Sequence, residues 1–259
     1  MHSFCTKDLK NLSRYSPEAS LNVGEINVGF GRSEVKIIKP LLLFVGIIAV
    51  VVLGFFAATR TSRNERSLKH GEEETMATTD VDTATFAAGC FWCVEAVFQN
   101  LKGVKSVVSG YTGGSVVKPS YEEVCSGTTG HSEACQIVYD PKQITYPELL
   151  EVFWKTHDPT TLDRQGNDTG TQYRSAIFYH DARQKESAEH FKKELDSSGA
   201  FDRPIVTEVI PFTNFYAAEN YHQNYFNEHG GQPYCLFVIR PKLEKFKNAF
   251  KEKLRENPQ

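Results

Sequence analysis

Thr85-Phe86-Ala87-Ala88-Gly89-Cys90-Phe91-Trp92-Cys93-Val94 joins a strand-like run to a helical one. Thr85 to Ala88 has strand character. Val94, Val97, Phe98 and Leu101 recur at helical spacing, so a helix is expected from near Val94. Cys90 then lies at a helix N-terminus, where free backbone N–H groups favour the thiolate over the thiol. Cys93, three residues on, can reach back to form a disulfide with it. Phe91 and Trp92 between them can wall off a small apolar pocket. That equipment suits redox chemistry on a small, mostly apolar group.

Strand and helix signals alternate outward from this junction. Val104 to Ser109 is expected as a strand ending at Gly110, and Ala134 to Tyr139 as another, stopped by Asp140-Pro141. Thr145-x-x-Glu148 is a capping box opening a helix whose Leu149, Leu150, Phe153 and Trp154 face the core. Ser175 to Tyr179 is strand-like, Ala182 to Ser197 helical, and Val206 to Ile210 a strand closed by Pro211. Leu243, Phe246, Phe250 and Leu254 mark an amphipathic tail helix. Strands mixed with helices imply an α/β (α+β) domain, a sheet with helices packed on it. The glycine-rich segments 110–114, 127–130 and 166–170 are loops, where functional residues tend to lie. None is a phosphate loop, because no Lys-Ser/Thr follows.

The 259 residues suffice for one or two domains, and a net charge of −3 gives no basic footprint for nucleic acid. Six cysteines without regular spacing do not form a secreted disulfide framework. They fit a reduced compartment, or one with a dedicated electron supply. Residues 1–40 form a tail without domain character. Residues 41–58 are eighteen apolar or small residues in a row, about 27 Å as a helix and close to a hydrocarbon core. A single-pass membrane anchor is expected there. Arg32, Lys36 and Lys39 before it and Arg60, Arg63, Arg66 and Lys69 after it differ by one charge and set no orientation. Residues 59–82 are a polar linker, and 83–259 the folded domain. Met76 is the other methionine besides Met1; a start there would leave a cytoplasmic domain without the anchor.

C-x-x-C spacing by itself fits thiol–disulfide exchange, half a zinc site, or two inert buried thiols. A paired zinc site needs a second such motif, yet Cys5, Cys125, Cys135 and Cys235 are single. The spacing Cys125…His131…Cys135 matches no common zinc module, so no metal is expected. Phe-Trp between the cysteines, rather than Gly-Pro, sets the motif apart from thioredoxin-type exchange.

Gly89 to Trp92 resembles the signature of the type A peptide methionine sulfoxide reductases, here in a Gly-Cys-Phe-Trp-Cys variant. Further motifs follow in that family's order: Gly110-Tyr111-Thr112-Gly113-Gly114, Tyr121-Glu122-Glu123-Val124-Cys125-Ser126-Gly127 and Thr129-Gly130-His131-Ser132-Glu133-Ala134. Then come His157-Asp158-Pro159, Arg164-Gln165-Gly166-Asn167-Asp168 and Gly170-Thr171-Gln172-Tyr173-Arg174-Ser175. The resemblance spans roughly residues 85 to 235. It implies a two-layer sandwich with a mixed sheet and a ferredoxin-like core.

The resemblance also assigns roles. Cys90 is the nucleophile, and Glu133 the acid that protonates the leaving oxygen, a task a carboxyl can perform near neutral pH if burial raises its pKa. Tyr121 and Tyr173 match positions whose hydroxyls bind the sulfoxide oxygen. Asp168 matches a position that supports substrate and cysteine contacts. Phe91 and Trp92 match the walls around the substrate methyl group. Attack leaves Cys90 as a sulfenic acid, which a second thiol converts to a disulfide. Many family members have glycine at the position of Cys93 and recycling cysteines in a glycine-rich tail. Here the tail is rich in Lys and Glu, so Cys93 is the expected resolving thiol and Cys235 the alternative.

The implied activity is reduction of the S-epimer of methionine sulfoxide, free or in oxidised proteins. The implied partner is thioredoxin or a similar dithiol protein, with no cofactor. A thiol–disulfide exchanger and a non-catalytic membrane-tethered binding module are the competing readings.

Overall fold

The computed structural model describes residues 81–257. The expected tail 1–40, the apolar run 41–58 and the linker as far as residue 80 lie outside the described residues. Among the described residues no helix is long and apolar enough to cross a membrane.

The first strand, β1 (Asp82–Ala88), leads through Gly89 into helix α1 (Phe91–Phe98). Strand β2 (Val104–Thr112), the short helix α2 (Tyr121–Cys125) and strand β3 (Ser132–Tyr139) follow. Helix α3 (Tyr146–Thr156) precedes a small ribbon, β4 (Arg164–Gln165) and β5 (Asp168–Thr169). Then come β6 (Ser175–Tyr179), α4 (Ala182–Ser198), β7 (Glu208–Pro211) and β8 (Tyr216–Ala217). Helix α5 (Tyr225–His229), a π-turn (Cys235–Ile239) and α6 (Arg240–Ala249) complete the order.

The main sheet has the order β7-β6-β1-β3-β2-β8. β6 and β7 pair in parallel and the other neighbours antiparallel, so the sheet is mixed. Its inner strands β6-β1-β3-β2, with α1 and α3 as crossovers, are the expected ferredoxin-like core.

Alternation along β1 fixes the layers. The Phe86 ring meets Phe98 of α1 at 5.6 Å and Phe153 of α3 at 5.1 Å between centroids, so both helices cover that face. Burying such a ring contributes roughly 1.5–3 kcal/mol. Ala87 points the other way, into a cluster with Ala134, Ala176 and Phe178 against Ile210 and Phe212. On β3 the same parity places Glu133, Cys135 and Ile137 under the helices. The Thr145–Glu148 capping box is formed in both directions, as its spacing predicts. A second box, Ser120 with Glu123, starts α2, a helix the sequence reading did not assign.

Some boundaries differ from the sequence expectation. α1 begins at Phe91 rather than near Val94, because the Cys90 carbonyl already accepts the Cys93 and Val94 N–H groups at 3.1 and 3.4 Å. β1 starts at Asp82, one residue before the expected domain edge. β2 runs through Gly110, which pairs with Ala134 on one side and Ala217 on the other. α6 ends at Ala249, and Leu254 instead forms a bridge to Leu101, closing the tail onto the end of α1.

Candidate active site

Cys90 is the N-cap of α1 and Cys93 lies in its first turn. Both thiols are free and buried, one at the N-cap and the other a turn further on. The chain reaches Cys90 through Gly89, whose φ of +84° is a left-handed conformation that favours glycine. A Cβ on Gly89 would also sit 2.5 Å from Gln165 Cβ. The strand-to-helix turn thus presses against β4.

Glu133 is the second residue of β3, on the face turned toward α1 and paired with Tyr111 of β2. Its Oε2 accepts the Phe91 N–H at 3.0 Å. Only 2% of Glu133 is exposed, and burial lifts its carboxyl to about 8. The Phe91 N–H pulls it down, while Asp168 and Cys93 push it further up. A carboxyl so held is a proton donor at neutral pH.

The expected thiolate at Cys90 is corrected here. Burial pushes the Cys90 thiol well up, and the neighbouring Cys93 thiol, Glu133 and Asp168 push the same way. The helix N-terminus is outweighed by desolvation first and by Cys93, Glu133 and Asp168 after it. Cys93 moves down instead, through the neighbouring Cys90 thiol first, with Lys242 and the Tyr234 hydroxyl acting the same way.

Tyr121 opens α2, and Tyr173 ends a 3₁₀ turn, Thr171–Tyr173. Both hydroxyls are pushed well above the usual phenol range, by burial first and then by Glu133, with Cys90 contributing to each. They stay protonated and can donate. Asp168 begins β5 and accepts the Tyr234 hydroxyl at 2.6 Å. It acts electrostatically on Cys90, Cys93, Glu133 and Tyr173. The structure thus brings Cys90, Cys93, Glu133, Tyr121, Tyr173 and Asp168 together.

Phe91 and Trp92 form apolar walls. Phe91 lies 6.0 Å from Tyr111 and 5.1 Å from His222 between centroids. Trp92 stacks flat on Tyr225, 3.7 Å apart at 7°. Cys235 sits buried in the π-turn, its thiol pushed up to about 11 by burial first and by Cys93 next.

Sequence reasoning missed the strap 219–225. Glu219 accepts the Tyr111 hydroxyl at 2.8 Å and the Tyr121 N–H at 3.0 Å. The Gln223 amide pairs with both backbone groups of Ser109, at 3.0 and 2.9 Å, like an extra strand residue. Glu95 of α1 accepts the Asn224 and Tyr225 N–H groups at 2.9 and 3.3 Å. Held so, the strap sets His222 4.4 Å from the Tyr121 ring and Tyr225 on Trp92. The signal was Glu219-Asn220-Tyr221-His222-Gln223-Asn224-Tyr225, a dense run of polar and aromatic residues with no core period.

Comparison with known proteins agrees with this geometry. Over 174 residues the chain is 55% identical to a peptide methionine sulfoxide reductase MsrA of Thermus thermophilus, covering 67% of this chain and 98% of that protein. It is 51% identical over 173 residues to the protein of the same name from Sulfolobus acidocaldarius, with 67% and 97% covered. Among solved structures it is similar to Mxr1 from Saccharomyces cerevisiae in reduced form, with TM-score 0.55 and 34% identity over 61% of this chain and 90% of that one. It is also similar to methionine sulfoxide reductase A of Corynebacterium diphtheriae, with TM-score 0.53 and 37% identity over 59% and 77%. Residues 82–254, from the first strand to the bridge that closes the tail, match the model of the peptide methionine sulfoxide reductases, and the chain belongs to that family.

Proposed function

We infer that this domain reduces the S-epimer of methionine sulfoxide, free and in proteins, with Cys90 as nucleophile and Glu133 as acid. The observation that carries the reading is a buried carboxyl held at about 8 beside a buried cysteine at a helix N-cap. Attack of the Cys90 sulfur on the sulfoxide transfers the oxygen: the cysteine becomes a sulfenic acid, methionine leaves, and the proton shed by the Cys90 thiol replaces the one Glu133 gives. Glu133 supplies the proton the oxygen needs as the S–O bond breaks. Tyr121 and Tyr173 donate to that oxygen, stabilising charge as it develops. Phe91, Trp92 and the strap rings His222 and Tyr225 hold the methyl group, a modest apolar contact suited to many protein substrates.

The placement of Cys93 in the first turn after the Cys90 N-cap supports Cys93 as the resolving thiol, with Cys235 next in line. The disulfide is then reduced by thioredoxin or a similar dithiol protein. The apolar run 41–58 supports tethering of the domain to a membrane, which carbonate extraction of membranes carrying the full chain tests.

Turnover of resolved S- and R-epimers by the full chain tests the activity, with dithiothreitol or thioredoxin as reductant. S-only turnover, abolished in Cys90→Ser, is expected. In Cys93→Ser the thioredoxin-driven rate is expected to fall, and an unchanged rate would transfer the resolving role to Cys235. Insulin-disulfide reduction without sulfoxide turnover would instead favour a thiol–disulfide exchanger.

A further inference from the structure

The three glycine-rich loops meet at one guanidinium. Arg174 follows Tyr173 directly, and its side chain is only 12% exposed. Its Nη2 donates to the Gly130 carbonyl at 3.1 Å, in the turn between α2 and β3. Its Nη1 donates to the Thr171 carbonyl at 3.1 Å, in the 3₁₀ turn that ends at Tyr173. Gly170, the last residue of the third loop, is the N-cap of that turn. The Arg174 Nε donates to Glu208 Oε2 on β7 at 3.2 Å. Gly113 of the first loop lies so close that an added Cβ would sit 2.9 Å from Nη2. The Thr171 hydroxyl ties the second and third loops again, donating to the Gly127 carbonyl at 3.3 Å.

These bonds fix the turn that carries Tyr173 against the turn that joins Tyr121 to Glu133. α2 starts at Tyr121 and ends two residues before Gly127, and Gly130 lies three residues before Glu133. A planar guanidinium holds several acceptors in fixed directions at once, which the point charge of a lysine does not. The two tyrosines need such a link, because a three-residue 3₁₀ turn has little structure of its own. Glu133 has a separate hold in the Phe91 N–H at 3.0 Å. None of the three side-chain bonds of Arg174 reaches Phe91, Trp92 or the strap, so the methyl walls stand apart from it.

We propose that Arg174 is a positioning residue for sulfoxide reduction, setting the Tyr173 hydroxyl against Tyr121 so that both reach the sulfoxide oxygen. The proposal rests on the reductase reading and on the donor role that reading gives Tyr173.

The test is methionine release in a single turnover of S-methionine sulfoxide by the reduced full chain, measured for wild type, Arg174→Lys, Tyr173→Phe and the double variant. Arg174→Lys keeps the charge and loses the fork. It is expected to slow release about tenfold, as losing the Tyr173 hydroxyl does. KM is expected to stay within about twofold of wild type, because uniform binding through the methyl walls is untouched. In the Tyr173→Phe background the same change is expected to slow release by less than about twofold more, since the hydroxyl it positions is gone. An arginine that only supports the fold would cost the same factor in both backgrounds, and that result overturns the proposal. A wild-type rate in Arg174→Lys overturns it too. Arg174→Gln, an amide that can donate to one carbonyl but not to both, carries the same cycle if Arg174→Lys does not fold. An unchanged rate in Tyr173→Phe overturns the proposal together with the donor role it serves. Absence of methionine release from the wild-type chain overturns instead the reductase reading beneath it.

Discussion

Glu133 Oε2 accepts the Phe91 N–H at 3.0 Å, so the acid hangs from the first turn of the helix whose N-cap is Cys90. One short segment therefore fixes nucleophile and proton donor relative to each other, and neither depends on a mobile loop for its distance. The same bond lowers the carboxyl, yet burial wins and leaves it at about 8. At neutral pH the acid keeps its proton and can give it to the departing oxygen.

Glu133→Gln keeps an acceptor for Phe91 and loses the acidic proton. Its kcat at pH 7 is expected to fall by about 10²-fold or more, the usual worth of a positioned acid. In the wild-type chain kcat is expected to fall as pH rises through about 8, and this limb to disappear in Glu133→Gln. Stability carries a matching signature. The folded carboxyl titrates at about 8 against a reference of 4.5, so stability is lost as pH rises between those values. Above pH 8, Glu133→Gln is expected to be more stable than wild type by on the order of a few kcal/mol. Thermal unfolding at pH 5 and pH 8.5 reads both effects; a wild-type chain equally stable at the two values would contradict the sign.

Glu95 is the carboxylate latch of the strap. It accepts the Asn224 and Tyr225 N–H groups from inside the fold, and burial holds it at about 7. Asn224 has a φ of +53°, a conformation asparagine tolerates better than most residues. Glu95→Ala leaves two backbone donors without their acceptor, at a cost of about 1–3 kcal/mol each. It also frees Tyr225 from its seat on Trp92. KM for a small sulfoxide is expected to rise about tenfold, with a smaller fall in kcat. Steady-state kinetics beside denaturant unfolding separates the two consequences, and an unchanged KM would show that the strap holds without this latch.

Tyr121 and Tyr173 come from separate elements, and burial first, then Glu133 and Cys90, keeps both hydroxyls protonated. Two donors on one oxygen back each other up. Each single Tyr→Phe change is expected to lower kcat about tenfold. The double change is expected to cost about 10²–10³-fold, because neither hydroxyl is then left to stabilise the developing charge. Methionine release in a single turnover is the direct readout. A double variant no worse than either single would mean that the two hydroxyls act as one unit and do not back each other up.

How much of this was legible in the sequence depends on what each residue answers to. Phe86, Leu149, Phe153 and Trp154 follow period and burial, so the sheet, its helices and the Thr145 cap could be read directly. Cys90, Glu133, Tyr121, Tyr173 and Asp168 could be picked out only by the order of motifs, because no periodicity brings β3, α2 and the β4–β5 ribbon to one point. The strap was opaque for a different reason. Glu219, Gln223 and Glu95 act through backbone N–H and C=O groups of distant residues, and such bonds leave no spacing in the chain. The charge state of Cys90 was misjudged because a helix N-terminus is visible in sequence, whereas desolvation and the acids beside it appear only in three dimensions.

Gly89 is where backbone conformation and packing act on one atom. Its φ of +84° already penalises a side chain, and an added Cβ would lie 2.5 Å from Gln165 Cβ and 2.7 Å from its Cγ. Gln165 cannot swing away freely. Its amide accepts the Asp158 N–H at 3.1 Å and donates to the Asp158 carbonyl at 3.0 Å, and its backbone pairs with Asp168 in the ribbon. Gly89→Ala therefore costs strain of about 1–3 kcal/mol for the backbone and about the same for overpacking. Relief comes either by turning Cys90 away from Glu133 or by pushing Asp168 outward. Both damage the site, so activity is expected to fall more steeply than stability. Gly166, also at positive φ but with open space around its missing Cβ, serves as the control. Gly166→Ala carries the conformational strain alone and should lose stability with most of its turnover intact. Comparing unfolding midpoints and kcat/KM of the two variants isolates the contact with Gln165, and equal losses of activity in both would remove it from the explanation.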